Sequence, residues 1–335
     1  LGFVQLPSVL KGGETVPPSQ PPLLQVQDLL KTYPVSKTSL FSAPNRFIAV
    51  NHLDFQLEKG EVLGLIGESG CGKTTTARMI ARLLTPDSGK ILLNGTDFLP
   101  LDDYDFKPFR RQIQMIFQDP QQVLNPSLTI EQILREPLIG FNLYGTAQQR
   151  RDYIRQQLVD VGLDDSYLTR YSHQLSGGQR QRVAILSALL VEPALLIADE
   201  VVSALDLSIQ AQILNLLQEL RQKYQLSMLF ISHDLHVVSW LADRILVMYR
   251  GSLMEEAPTE ELLRNPIHPY TQSLLAAANL IEGSPPQEVI GWGVASAECC
   301  PYAEVCPKSS NLCRTQRPPI QVLAKGHRVA CHCQQ

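Results

Sequence analysis

The chain has 335 residues, 44% hydrophobic and 19% charged, a balance that excludes wholesale disorder and a fibrous repeat and leaves room for about two domains. Its 29 Lys and Arg against 33 Asp and Glu give a net charge of −4, which counts against a protein that lives on nucleic-acid phosphate. No apolar run reaches the roughly 18 residues that a membrane-spanning helix needs; even Ile185 to Ala198 is broken by Ser187, Glu192 and Pro193.

Residues 1–22 hold Pro7, Pro17, Pro18, Pro21 and Pro22 and read as a flexible, extended leader. They lack the basic start and apolar core of a secretory signal, so the chain is expected in the cytosol, meeting any membrane through another protein. From Leu23 short β-like runs begin: Ala49–Leu57 and Glu61–Ile66 meet at Lys59-Gly60, and Ile91–Leu93 ends at the tight turn Asn94-Gly95. A strand over Val62–Ile66 leads into Gly67-Glu68-Ser69-Gly70-Cys71-Gly72-Lys73-Thr74, and a helix from Thr74 through Leu84 follows. This is G-x-x-x-x-G-K-[ST] in full and in its required strand–loop–helix setting. Glycines let backbone N–H groups close around phosphate oxygens, and Lys73 brings a point charge to the β- and γ-phosphates. The Thr74 hydroxyl can ligate Mg²⁺, and the helix N-terminus adds its positive dipole end. Cys71 reads as a small side chain that fits the loop, without a redox role.

The stretch from about 125 to 175 is rich in Gln, Arg and Leu at helical spacing and is expected to be a helical insert. Leu195-Leu196-Ile197-Ala198-Asp199-Glu200 is a buried strand ending in two acids, with Asp199 placed to hold Mg²⁺ through water and Glu200 to orient or polarise an attacking water. Leu207–Arg221 puts Ile209, Ile213, Leu216, Leu217 and Leu220 on one helical face, and apolar strands follow over Met228–Ile231 and Ile245–Met248. Strands without alternation, spaced by helices, predict a mostly parallel α/β core.

Leu175-Ser176-Gly177-Gly178-Gln179 is the most specific motif, and with it the chain resembles the ATP-binding cassette (ABC) ATPases over about Leu23 to Leu263. The other family motifs stand in order: Gln118 in Phe117-Gln118-Asp119-Pro120 resembles the Q-loop, Ser203-Ala204-Leu205-Asp206 the D-loop, His233 the switch histidine, and Tyr33 the aromatic that stacks on adenine. The resemblance implies a P-loop NTPase ABC cassette: a RecA-like core with an antiparallel β subdomain and a helical subdomain over about 125–175, the cassette spanning 23–265. It implies ATP held by residues 67–75, Thr75 included, Mg²⁺ held through Thr74, Gln118 and Asp199, and hydrolysis by Glu200 with His233 and Gln118. It also implies a second cassette whose Ser176, Gly177, Gly178 and Gln179 close over the ATP of the first, the D-loop Asp206 lying between them. At one point the chain departs from the family: Val201-Val202 stands where Pro-Thr is usual, which removes a fixed φ.

Asp119-Pro120 with Leu124-Asn125-Pro126, Arg170-Tyr171-Ser172-His173-Gln174, and Asn265-Pro266-Ile267-His268-Pro269-Tyr270-Thr271 resemble the oligopeptide/dipeptide/nickel importer branch. That implies permease subunits, an extracytoplasmic substrate-binding protein, a place on the inner face of the membrane and peptide cargo, with nickel or another small solute as alternative. A soluble ABC ATPase on nucleic acid or ribosome is the lesser reading, since there is one cassette, no sustained heptads and net negative charge. A regulatory subunit that binds ATP without hydrolysing it is disfavoured by the intact Lys73, Asp199, Glu200 and His233. Over 266–335 a C-terminal extension is expected, with six cysteines in its last 37 residues. Cys300, Cys306, Cys313 and Cys331 are spaced C-x5-C-x6-C-x17-C, and four thiolates can hold [4Fe–4S] or Zn²⁺. A [4Fe–4S] cluster is the expectation here, because the branch can carry one and the C-x2-C knuckle typical of zinc is missing; unliganded reduced thiols are the plain alternative.

Overall fold

The computed structural model describes residues 21–34, 46–281, 298–323 and 326–333. All but the last two residues of the expected leader lie outside this range, as does much of the proline-rich stretch beyond Gly283. In chain order the strands are β1 (Leu24–Pro34), β2 (Arg46–Leu57), β3 (Val62–Ile66), β4 (Ser88–Leu93), β5 (Thr96–Asp97), β6 (Ile113–Ile116), β7 (Leu195–Asp199), β8 (Ser227–Ile231), β9 (Arg244–Tyr249), β10 (Ser252–Pro258), β11 (Gln321–Val322) and β12 (Arg328–Val329). The α-helices are α1 (Lys73–Ile80), α2 (Asp103–Gln112), α3 (Pro120–Val123), α4 (Ile130–Gly140), α5 (Ala147–Leu158), α6 (Gly177–Leu189), α7 (Leu207–Tyr224), α8 (Leu235–Leu241), α9 (Thr259–Arg264), α10 (Pro269–Ala277) and α11 (Asn311–Thr315).

β2-β1-β4-β5 form an antiparallel sheet, and a second sheet runs β11-β12-β10-β9-β3-β8-β7-β6. In the second, β9, β3, β8, β7 and β6 are parallel neighbours, as the expected RecA-like core requires. Every residue of β3, β7 and β8 is buried, because both faces of this sheet are covered. The period of two along a strand sorts those residues into two cores. Leu63, Leu65, Ile197, Leu229 and Met248 face the antiparallel sheet and α1, while Leu196, Phe230, Ile245 and Val247 face the helical side. The helical core also takes Ile133, Leu134 and Leu138 of α4, Ile154 and Leu158 of α5, and the α7 stripe Ile213, Leu216, Leu217 and Leu220.

Two expectations change. The helix after the phosphate loop ends at Ile80 rather than Leu84: Arg82 turns left-handed (φ 52°), and the N–H groups of Leu83 and Leu84 fold back onto the Arg78 carbonyl. The cysteine-rich extension is not a body apart. β12 lies antiparallel to β10, pairing Val329 with Glu255 and Arg328 with Glu256. Cys300, Tyr302, Ala303 and Cys313 belong to the same buried core as the helical side. Among the described residues, no helix is long and apolar enough to cross a membrane.

Candidate nucleotide site

The phosphate loop leaves β3 and enters α1 with Gly67, Gly70 and Gly72 all at positive φ. At two of these no side chain fits: a Cβ on Gly67 would stand 2.2 Å from the Met248 carbonyl oxygen, and one on Gly72 would stand 2.2 Å from that of Ala49. Lys73 is buried, and its Nζ donates to the carbonyls of Gly67 (2.7 Å) and Glu68 (2.9 Å), which holds the ammonium over the loop. Cys71 is buried beneath, its Sγ 3.8 Å from Lys73 Nζ, and burial pushes its thiol pKa up, consistent with a small space-filler. Glu68, Ser69 and Gly70 are exposed, and Thr74 and Thr75 are half-buried.

The Thr74 hydroxyl donates to Asp199 Oδ1 (3.2 Å), so the first turn of α1 meets the end of β7. Burial raises the pKa of Asp199 and the Glu200 charge raises it further, against the lowering by the Thr74 hydroxyl. Two hard oxygen donors side by side, one a buried carboxylate with the Glu200 charge beside it, fit the donor set of Mg²⁺.

Glu200 follows at φ 49°, a left-handed conformation that a glutamate adopts only when its surroundings hold it there. Here its N–H donates to the Ile231 carbonyl (2.9 Å), and Ser203 returns its N–H and its hydroxyl to the Glu200 carbonyl. Val201 and Val202 are 1% and 2% exposed, so this turn is held by buried apolar side chains and hydrogen bonds rather than by proline's fixed φ. The Glu200 carboxylate gathers the remaining site residues. Gln118 Nε2 donates to Oε2 (3.1 Å), and His233 Nδ1 lies 3.5 Å from Oε1. His233 is delivered by the β8–α8 turn, which Asp234 closes by accepting the N–H groups of His236 and Val237.

The signature sits apart, at the N-terminus of α6. Ser176 is exposed and caps the helix, accepting the Gln179 N–H while Gln179 Oε1 accepts the Ser176 N–H (2.9 Å). Gln179 Nε2 reaches the Tyr167 hydroxyl (3.0 Å), and Gly178 lies where a Cβ would stand 2.6 Å from Ile209 of α7. Asp206 caps α7; the Ile209 N–H above all, with the Ser208 hydroxyl, lowers its pKa. Tyr33 ends β1 half exposed, with Lys31 Nζ 5.7 Å from its ring centre.

The expected iron–sulfur or zinc site is not there. Among the described residues, no group of three or more His, Cys, Asp or Glu side chains is arranged to hold a metal ion, and all seven cysteines are free thiols. The sulfurs have other partners: Cys313 the Ser310 hydroxyl (3.3 Å), Cys331 the Cys333 N–H (3.4 Å), and Cys333 the Lys308 carbonyl (3.1 Å). Burial pushes the Cys300 thiol up to about 12, so it stays protonated. The expectation rested on the cysteine spacing and on what the branch can carry, whereas the places of the sulfurs are set by a C-terminal segment that shares the main core.

Sequence reasoning missed one contact at the loop. Tyr270, fully buried on α10, accepts the Glu68 N–H at its hydroxyl (3.2 Å). Its motif was legible over 265–271, but only as a mark of the importer branch.

A family model described as "ABC transporter" matches residues 50–203, and one described as "Oligopeptide/dipeptide transporter, C-terminal region" matches residues 254–313. The oligopeptide transport ATP-binding protein AppF of Bacillus subtilis is 42% identical over 327 residues, covering 94% of this chain and 98% of that protein. The dipeptide transport ATP-binding protein DppF of Haemophilus influenzae is 40% identical over 316 residues, covering 92% and 96%. The dimeric post-hydrolysis structure of the ATP-binding cassette MJ0796 bound to ADP and Pi superposes with a TM-score of 0.63 at 27% identity, covering 70% of this chain and 98% of that one.

Proposed function

Since this chain belongs to the ATP-binding subunits of ABC transporters, in the oligopeptide/dipeptide branch, we propose that it hydrolyses ATP at the phosphate loop to drive uptake of short peptides through a partner permease. The observation that carries the reading is the convergence of Gln118 and His233 on Glu200, one residue beyond the Asp199–Thr74 pair.

The loop's N–H groups and the α1 N-terminus receive the phosphates, and the Lys73 ammonium moves from its backbone carbonyls onto the β- and γ-oxygens. Thr74 and Asp199, with Gln118, would hold Mg²⁺, which would supply neutralising charge to the phosphates when bound. Glu200 orients the attacking water and takes up its proton, and His233, on the other carboxylate oxygen, stabilises the charge that builds up on the transferred phosphoryl group. Tyr33 supplies an aromatic face for the base.

A second cassette completes the site. Ser176 and the first N–H groups of α6 form a cradle without a lysine, exposed and suited to the γ-phosphate of the facing subunit, with Asp206 at the seam. ATP then favours the closed pair, and hydrolysis reopens it. The permease docks in the cleft beside Gln118, a hollow of about 250 Å³ lined by Phe117, Val123, Leu124, Ile133 and Ala188. The extracytoplasmic peptide-binding protein acts through that permease. The exposed rim of this cleft passes the permease's motion to Gln118 and so to Glu200. Phosphate release tests the site: magnesium-dependent turnover in the wild type and none in Lys73→Ala is expected, and equal turnover in the two would remove the phosphate loop from the chemistry.

A further inference from the structure

The contact between the C-terminal segment and the phosphate loop bears on Lys73 itself. A peptide unit is a rigid plane, so whatever fixes its N–H also fixes its C=O. In the unit joining Gly67 to Glu68, the carbonyl accepts Lys73 Nζ at 2.7 Å and the N–H donates to the Tyr270 hydroxyl at 3.2 Å. The lysine and the tyrosine grip one peptide plane from its two ends. We propose that Tyr270 is a positioning residue for ATP binding: its hydroxyl sets the orientation of the Gly67–Glu68 peptide and through it the place of the Lys73 ammonium.

The tyrosine is itself held in a way that suits a fixed reference point. Its ring lies between those of Tyr249 (centroids 4.6 Å apart) and Tyr302 (5.3 Å), the first from β9 and the second from the C-terminal segment. Its N–H donates to Nδ1 of the buried His268 (3.0 Å). The start of α10 is pinned in turn by the buried Glu255 carboxylate, which accepts the N–H groups of Ile267 (2.8 Å) and His268 (2.9 Å) and lies 2.6 Å from His327 Nε2. A loop that must open its carbonyls to release Lys73 to phosphate gains from an anchor outside itself.

The proposal rests on residues 67–74 being the ATP site, and the experiment separates the two. Tyr270→Phe keeps the ring and removes only the hydroxyl. Displacement of a fluorescent ATP analogue by ATP and by AMP would be measured for the wild type, Tyr270→Phe and Lys73→Ala, alongside hydrogen exchange over 66–73, turnover and melting temperature. The expected result is ATP binding weakened about fivefold, the worth of one hydrogen bond. AMP, which lacks the phosphates that Lys73 meets, should bind as before, with kcat at saturating ATP within twofold of wild type, faster exchange at the Glu68 amide and little change in melting temperature. Unchanged ATP affinity and unchanged exchange overturn the proposal. An equal loss for ATP and AMP with a lowered melting temperature overturns it as well, by making the hydroxyl a general support of the fold. If wild type and Lys73→Ala bind ATP alike, the phosphate-loop reading itself fails and the proposal falls with it.

Discussion

Replacing Glu200 by Gln separates chemistry from architecture at the site. The two side chains have nearly the same volume. The carboxylate accepts from Gln118 Nε2 at 3.1 Å on Oε2 and meets His233 Nδ1 at 3.5 Å on Oε1. A glutamine with its carbonyl oxygen toward Gln118 keeps the first bond and offers its NH₂ to His233. The left-handed backbone at φ 49° is held by the Ile231 and Ser203 contacts, which the substitution does not touch. Folding stability should therefore change by no more than about 1 kcal/mol. On the proposed mechanism, what the substitution removes is the charge that orients the water and the base that takes its proton. A positioned general base is worth about 10²- to 10⁴-fold, or about 3 to 5 kcal/mol in the barrier. Phosphate release should drop by that factor while ATP affinity holds, and ATP should trap the protein paired with its partner cassette, visible as a larger species on size exclusion. Hydrolysis at the wild-type rate, or loss of ATP binding together with turnover, would refute the assignment of Glu200.

Val123 is exposed at the mouth of the cleft beside Gln118, so Val123→Glu should leave the isolated subunit's ATP hydrolysis and stability unchanged while weakening capture of the permease more than tenfold, because docking would bury an unpaired charge; undiminished capture would move the docking surface elsewhere. His268 is held by burial at a pKa of about 4, below its unfolded value of 6.5, so the fold requires the neutral ring. That contribution is complete above pH 6.5 and is lost as pH falls toward 4, where the unfolded chain binds a proton that the folded chain refuses, about 3 kcal/mol in all. Urea denaturation between pH 7 and 4.5 should show this slope in the wild type and a flatter one in His268→Asn, and equal slopes would remove His268 as its source.

Much of the site could be read along the chain because phosphate chemistry is done by contiguous loops. Residues 67–74 carry their meaning in spacing alone, and the buried runs at 62–66, 195–199 and 227–231 have no alternation to confuse with an amphipathic element. Contacts between distant segments leave no such trace. Nothing in the spacing of His268-Pro269-Tyr270 shows that a hydroxyl will end on the Glu68 N–H, 202 positions away. The cysteines misled for a related reason: a C-x5-C-x6-C-x17-C pattern is compatible with a cluster, but where the sulfurs point is decided by β12 joining β10 and by Cys300 and Cys313 entering the main core. Val201-Val202 read as a departure that removes a fixed φ; what holds the turn instead, two buried side chains and the closure by Ser203, could be seen only in the structure.

The most direct test of the account is peptide uptake by the whole transporter. A permease identified by its copurification with this subunit, rebuilt in vesicles with ATP on the subunit's side and a binding protein on the other, should accumulate a radiolabelled oligopeptide with the wild-type subunit and fail to do so with Glu200→Gln. Accumulation of nickel in place of peptide, or equal peptide uptake with Glu200→Gln, would contradict it.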